Sequence, residues 1–248
     1  MLQGRRGYHP GALALWSIGL IACRQPAARV EWSVPRLGDV PVGAWAEYHL
    51  VAQGHRFRQV VALVASDTSR MTLETRLREE SSPTAPTVIT DYVLSAPARF
   101  GDKPIDGAVQ VDDNEPMTLP PDDTQAGLSL SMPHLEAENL SGPESVNVSA
   151  GRFASQRYDV PIAKDRVASI WLSRDAPPSG LVKLQLVLGS DHKEESTVEL
   201  VRLSEGAHRG IGEAPRPFDS ATYMREMIAA WNVRPASLQA GPRAHGGQ

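Results

Sequence analysis

The sequence predicts a mainly β fold, an antiparallel sheet with one C-terminal helix, and three observations carry that prediction. Apolar residues recur at every second position over most of residues 42–203, the mark of strands with one buried face. Gly and Pro number 20 each, a composition suited to short strands and turns. No long helical stretch separates the alternating segments, which excludes βαβ crossovers and with them a parallel sheet.

Met71–Arg78 shows the alternation most clearly, with Met71, Leu73 and Leu77 on one face and Glu74, Arg76 and Arg78 on the other. A helix would scatter those charges around its circumference. Leu181–Leu188 repeats the pattern, with Val182, Leu184, Leu186 and Leu188 inward and Lys183 and Gln185 outward. Thr197–Leu203 follows it loosely, because Val201 and Leu203 share a face with Glu199. Gly43–Val51, Phe57–Ala65, Val88–Ser95, Ala108–Asp112, Ser145–Ser149, Arg152–Val160 and Val167–Ser173 complete the strands. Gln53-Gly54-His55 and Ala150-Gly151 supply hairpin turns. Between Pro116 and Pro143 the pattern fails, and an irregular loop is expected there, either functional or merely mobile. The helix is expected over 219–231, capped by Asp219 or Ser220, with Tyr223, Met227, Ile228 and Trp231 as its apolar stripe. Residues 232–248 are poor in apolar side chains and read as a disordered tail.

The N-terminus has a different grammar. Arg5 and Arg6 precede a charge-free run from Gly11 to Ala22. That run is shorter than the roughly 20 residues needed to span a bilayer, and a short apolar run behind a positive start reads as a signal peptide over 1–22. It ends in Leu20-Ile21-Ala22-Cys23, which resembles the lipobox of bacterial lipoproteins, and Cys23 is the only cysteine of the chain. A buried structural cysteine beside an ordinary signal peptide is the plainer alternative; a sole cysteine placed where the apolar run stops favours the lipobox. The resemblance implies cleavage before Cys23, acylation of its thiol and three acyl chains, and two or more chains hold a protein firmly on a membrane. Arg24, where an aspartate tends to retain such proteins at the inner membrane, favours the outer one facing the periplasm. Residues 23–41, with Pro26, Pro35 and Pro41, then read as a lipidated tether, and 42–231 as a single β domain.

Composition excludes several classes. With 25 Lys and Arg against 29 Asp and Glu, the net charge is −4, and there is no basic footprint for nucleic acid. One cysteine allows no internal disulfide and no CxxC motif. GxSxG, HExxH and GxxxxGK[ST] are all missing, so no catalytic residue, metal ligand or cofactor is assigned and a non-enzymatic protein is expected. Asp112-Asp113-Asn114-Glu115 offers oxygen ligands but lacks calcium-loop spacing and reads as a solvated turn; Asp191–Glu195 reads as a hairpin tip.

Several segments together carry a resemblance: Gly43-Ala44-Trp45-Ala46-Glu47-Tyr48, Met71-Thr72-Leu73-Glu74, Val148-Ser149-Ala150-Gly151-Arg152-Phe153-Ala154, Ile170-Trp171-Leu172-Ser173 and Pro177–Leu184. Over about Val42–Leu203 the chain resembles bacterial envelope lipoproteins whose β-rich domain is similar to the lipoprotein carriers LolA and LolB. The resemblance implies a strongly curved antiparallel sheet, a half-barrel or open barrel, whose concave apolar face is covered by helices and holds acyl chains. This chain departs from that pattern in having one helix, C-terminal to the strands, which leaves open a cavity filled by side chains instead of lipid. One short helix leaves part of a curved sheet's concave face uncovered, for a lipid or other hydrophobic ligand. The candidate liners are Trp45, Tyr48, Phe57, Met71, Leu73, Tyr92, Phe153, Tyr158, Ile170, Trp171 and Leu184; the plainer reading makes each a core residue. The alternative function is an envelope interaction protein acting through sheet edges or the 116–143 loop without a small ligand.

Overall fold

The computed structural model describes residues 37–52, 54–81, 85–98, 101–124, 135–163, 166–188 and 193–230. The expected lipobox residues Leu20, Ile21, Ala22 and Cys23 lie outside the described residues, as do Trp231 and the tail.

The described chain is built on one antiparallel sheet of eleven strands. They are β1 (Trp45–Ala52), β2 (His55–Ser66), β3 (Arg70–Glu79), β4 (Val88–Ser95), β5 (Asp106–Val111), β6 (Met117–Thr118), β7 (Leu140–Val148), β8 (Gly151–Ala163), β9 (Arg166–Leu172), β10 (Leu181–Leu188) and β11 (Lys193–Ser204). The spatial order is β6-β5-β4-β3-β2-β1-β11-β10-β9-β8-β7, so two meanders are joined where β1 pairs with β11. The sheet curls without closing, as a half-barrel does. One helix, α1 (Ser220–Ala230), follows the strands; Asp219 caps it, its carboxylate accepting the Ala221 backbone N–H and the Thr222 hydroxyl. No helix among the described residues is long and apolar enough to cross a membrane.

Register explains the core. Ala46, Tyr48 and Leu50 of β1 stand opposite Val61, Gln59 and Phe57 of β2, and Leu63, Leu73 and Tyr92 align across β2, β3 and β4. On the other side Leu200, Val198, Leu184, Ile170 and Tyr158 continue the same face. A single sheet can hide these side chains from water only by curling around them. Tyr48, Leu63, Met71, Leu73, Leu94, Ile170 and Leu200 are all at most 1% exposed, and burial of each contributes roughly 1.5–3 kcal/mol.

The loose alternation of Thr197–Leu203 has a physical cause. The register slips between Glu47 and Tyr48, which face Arg202 and Leu200 and leave Val201 unpaired. This bulge puts Leu203 opposite Ala46 and returns it to the inner face. The folded body also reaches back beyond the expected boundary at Val42. Leu37 opens a short 3-10 turn, is fully buried and donates its N–H to the Ala98 carbonyl at 3.0 Å, so 37–41 is body and not tether.

The 116–143 stretch is more ordered than its sequence suggests. It contains β6, a helical turn at 121–124, a 3-10 turn at Ala137–Asn139 and the start of β7; residues 125–134 lie outside the described residues. Asp112–Glu115 is an exposed turn, as its lack of calcium-loop spacing suggests, tied down by the Thr87 N–H donating to Asp112 Oδ1 at 2.8 Å.

Candidate functional site

Eight of the eleven candidate liners share the inner face: Tyr48, Phe57, Met71, Leu73, Tyr92, Tyr158, Ile170 and Leu184. Most are closed core. Tyr48 is fully buried, and its hydroxyl meets Ser179 Oγ at 3.0 Å and donates to the Leu181 carbonyl at 3.1 Å; burial pushes that hydroxyl well above the usual tyrosine range. Toward the end of the sheet marked by the β1–β2, β8–β9 and β10–β11 hairpins, packing loosens. Phe57, Leu50, Val198 and Leu184 form one cross-strand row, and Ser196, Leu186, Ala168 and Val160 the next. Leu50, Leu184, Leu186 and Val160 are only partly buried. The centre of the inner face is therefore closed, and apolar side chains packed against that core are partly exposed at this end.

Of the other three candidates, Trp45 and Trp171 take outer-face register positions, while Phe153 is buried in the same main core. Adjacent strand residues point to opposite faces, so Ile170 and Trp171 cannot both face inward. Register places Trp171 with Lys183 and Arg157 on the outer face. There Arg157 lies 5.3 Å and Lys183 6.0 Å from its ring, and its Nε1–H donates to Glu144 Oε2 at 2.9 Å. Trp45 lies on that outer face too, with the Arg202 guanidinium 4.9 Å from its ring and its Nε1–H donating to the Glu205 carbonyl at 3.3 Å. Phe153 belongs to the part of β8 that runs past β9, opposite Val146; the tip of that hairpin reaches β11, where the Ala150 N–H donates to the Leu200 carbonyl at 3.2 Å.

Glu74 does not face water as alternation suggests: it is 1% exposed, as is Asp91 directly opposite it on β4. The chain after β11 crosses the outer face as a strap and covers both. Ala207 N–H donates to the Gly43 carbonyl at 2.9 Å, Arg76 Nη2 to the His208 carbonyl at 2.7 Å, Arg209 Nε to Asp91 Oδ2 at 2.8 Å, and the Gly210 N–H to Glu74 Oε2. A Cβ on Gly210 would lie 3.1 Å from Ile89 Cδ1 and 3.2 Å from Glu74 Oε1, so a larger residue there would make these side chains give by a few tenths of an ångström. The strap then pairs in parallel with β6, Thr118 N–H donating to the Arg216 carbonyl and Arg216 N–H to the Pro116 carbonyl, both at 2.9 Å. Beyond that edge Phe218 and Tyr223 pack on Val109, Met117 and Leu119, a small apolar cluster separate from the main core. No alternation marks 205–218, and its partners are 118 to 136 residues away for the Asp91 and Glu74 contacts; only the Arg209-Gly210 pair hints at a charged close approach.

A third feature is a cleft of about 500 Å³ between the β7–β8 hairpin and the turn after β9. Ser155 and Gln156 line it, and Ser155 Oγ and Gln156 Oε1 are buried with no hydrogen-bond partner.

No protein family and no curated protein matches the sequence. Among solved structures the chain is similar to CT021 from Chlamydia trachomatis, at 10% identity over 71% of this chain and 93% of that one with a TM-score of 0.47. It is similar to a protein assigned as exported, with a YmcC-like fold, from Bacteroides fragilis, at 11% identity over 66% and 97% with a TM-score of 0.38. It is also similar to MucB, at 15% identity over 67% of this chain and 54% of MucB with a TM-score of 0.37. Likenesses this remote assign no activity to the chain.

Proposed function

We propose that the protein is a lipid-anchored envelope protein without enzymatic activity that binds or carries a lipid or other hydrophobic molecule at the open end of its inner face. The observation that carries this reading is the row of partly exposed apolar side chains, Leu50, Leu184, Leu186 and Val160, continuous with a fully buried core. Apolar surface continuous with a core and open at one end suits an acyl chain. The lipobox-like Leu20-Ile21-Ala22-Cys23 supports an anchor in the envelope, with the outer membrane favoured by Arg24.

Strand addition at a sheet edge is the less favoured route to function. At one edge β6 is two residues long and is already paired by the Arg216 segment. At the other, β7 carries Pro143 beside Gly142 at φ +133°, which breaks an edge as a template.

Native mass spectrometry of the chain carrying Cys23→Ser, purified gently from bacteria, tests the proposal together with uptake of a fluorescent fatty acid. Retained ligand mass or saturable uptake is expected. A ligand-free mass combined with no uptake would refute it.

A further inference from the structure

We propose that the outer face of β1–β3 and β11 is a docking site for an acidic protein segment, which seats one apolar side chain in a small cavity ringed by Arg58, Arg76 and Arg202. Register puts the parts on one side of the sheet. Val60 lies opposite Glu47 on one flank and Arg76 on the other, and Glu47 lies opposite Arg202. Arg58 and Ala62 stand two residues either side of Val60 and share its face. Val60 and Ala62 form the floor of the cavity, Trp45 and the strap residue Ala207 border it, and the three arginines line it as well.

Volume and charge select the occupant. The cavity holds about 270 Å³, just under the roughly 300–1,000 Å³ usual for small-molecule sites, and it suits one large aliphatic or aromatic side chain. An apolar pocket bordered by arginine and tryptophan is a frequent setting for the anchor of a protein interface. Three guanidiniums line the cavity against the two carboxylates of Glu47 and Glu74, an excess of one positive charge. What a partner meets is more positive than this sum, because the arginine side chains are 40–56% exposed and those of Glu47 and Glu74 only 9% and 0%. Other charges on this face cancel in pairs, Lys183 with Glu199 and Arg209 with Asp91, and on the adjoining rows Arg56 and Arg78 outnumber Glu80. The ring is also held in place before a partner arrives. Arg58 and Arg202 each donate to Glu47 Oε2 at 2.7 Å, Arg76 donates to Glu74 Oε1 at 2.6 Å, and the Arg202 guanidinium lies 4.9 Å from the Trp45 ring. Such preorganisation lowers the entropy cost of binding, and a guanidinium's five N–H donors exceed what these bonds take up. An anionic bilayer presents headgroups ahead of its acyl chains and leaves an apolar floor unfilled, whereas an acidic segment with one apolar residue satisfies floor and ring together. This surface is on the opposite face of the sheet from the proposed lipid site and does not depend on it.

The test uses the full chain carrying Cys23→Ser and the fluorescence anisotropy of three labelled heptapeptides: glutamates around a central leucine, glutamates around a central serine, and lysines around a central leucine. The acidic leucine peptide is expected to bind with Kd below about 100 μM, at least about 10-fold more tightly than the serine peptide, and more weakly as salt is raised. The lysine peptide should not bind. Arg58→Gln should weaken binding at least about 3-fold without loss of the fold, because Arg202 still pairs with Glu47. Val60→Glu, which sets a like charge in the floor, should abolish binding; Arg58→Gln decides the matter if that variant does not fold. No binding of the acidic leucine peptide at about 1 mM, equal affinity for the leucine and serine peptides, or affinity unchanged in Arg58→Gln would overturn the proposal. Cosedimentation with phosphatidylglycerol vesicles that Arg58→Gln abolishes, without peptide binding, would overturn it too and assign the face to a membrane.

Discussion

Asp91→Asn probes the strap through pH. Asp91 is 1% exposed, lies opposite Glu74 across β3–β4, and has one carboxylate oxygen paired with Arg209 and the other without a partner. Burial raises its carboxyl; the hydrogen bond and charge of Arg209 pull it down, Glu74 adds to the rise, and the result is pushed up from 3.8 to about 6. A carboxyl raised in the folded state binds its proton more tightly there than in the unfolded chain. The stability this gives is full below about pH 4 and is lost as the pH rises through about 6. The difference between about 6 and 3.8 corresponds to about 3 kcal/mol in all, of which about 2 kcal/mol develops between pH 7.5 and 4.5. Asparagine cannot titrate, so its stability relative to the parent should rise by about 2 kcal/mol on going from pH 4.5 to 7.5. The pull of Arg209 is already contained in the value of about 6, so losing that ion pair adds no slope beyond this difference. Urea unfolding of parent and variant at a series of pH values measures this. A relative stability flat within about 0.5 kcal/mol, or one that falls with rising pH, would refute the assignment of Asp91 as a group destabilised by burial.

Four further substitutions address other parts of the molecule. Gly107→Ala should destabilise by about 1–3 kcal/mol in thermal or urea unfolding, because its Cβ would lie 2.5 Å from Thr124 Cγ2 and 2.8 Å from Thr124 Oγ1; adding Thr124→Ser, which removes the nearer atom, should recover part of the loss. Tyr48→Phe should cost about 1–2 kcal/mol by leaving the Ser179 hydroxyl without its tyrosine partner in a buried site, read from the urea midpoint. Leu186→Glu puts a charge on the open end of the inner face, where Leu186 is partly exposed, so fatty-acid uptake should vanish while far-UV circular dichroism is unchanged. Cys23→Ser should abolish palmitate labelling in cells; continued labelling would place the acyl group elsewhere.

Strands were legible because their signal is local. A buried face selects apolar residues at every second position, and the ten segments read that way all form strands. What escaped reading depends on contacts distant in sequence. The two-residue β6 is too short to alternate and exists because the Arg216 segment pairs with it. Leu37 looks like linker between prolines, yet it fills a gap beside Ala98. Trp171 and Ile170 are both large and apolar, yet alternation alone separates them; the Trp171 indole is paired with Glu144 and lies beside Arg157 and Lys183 on the outer face. The candidate site suffered the same bias, since residue size identifies core members but only packing shows which of them line open space.

The outer face shows how similar sequence patterns acquire different chemistry. Glu47, Glu74 and Asp91 all occupy outward positions of alternating strands, and all are buried. Burial pushes the Glu47 carboxyl up, but hydrogen bonds from both Arg58 and Arg202, reinforced by their charges, hold it below the usual carboxylate range. Both guanidiniums reach the same Glu47 oxygen at 2.7 Å from strands flanking β1, so that carboxylate is secured within the sheet itself. Asp91 has its one arginine from the strap and a second carboxylate as its cross-strand neighbour. Its charged form is therefore compensated only while residues 205–218 stay in place. The strap in turn leads to α1 at the inner-face cluster of Val109 and Tyr223. Arg209 pairs with Asp91 as an ion pair only when that carboxyl is ionised, so the strap pulls against the rise that burial imposes. That places the acid-sensitive contact of the outer face on the one segment that connects it to the helix.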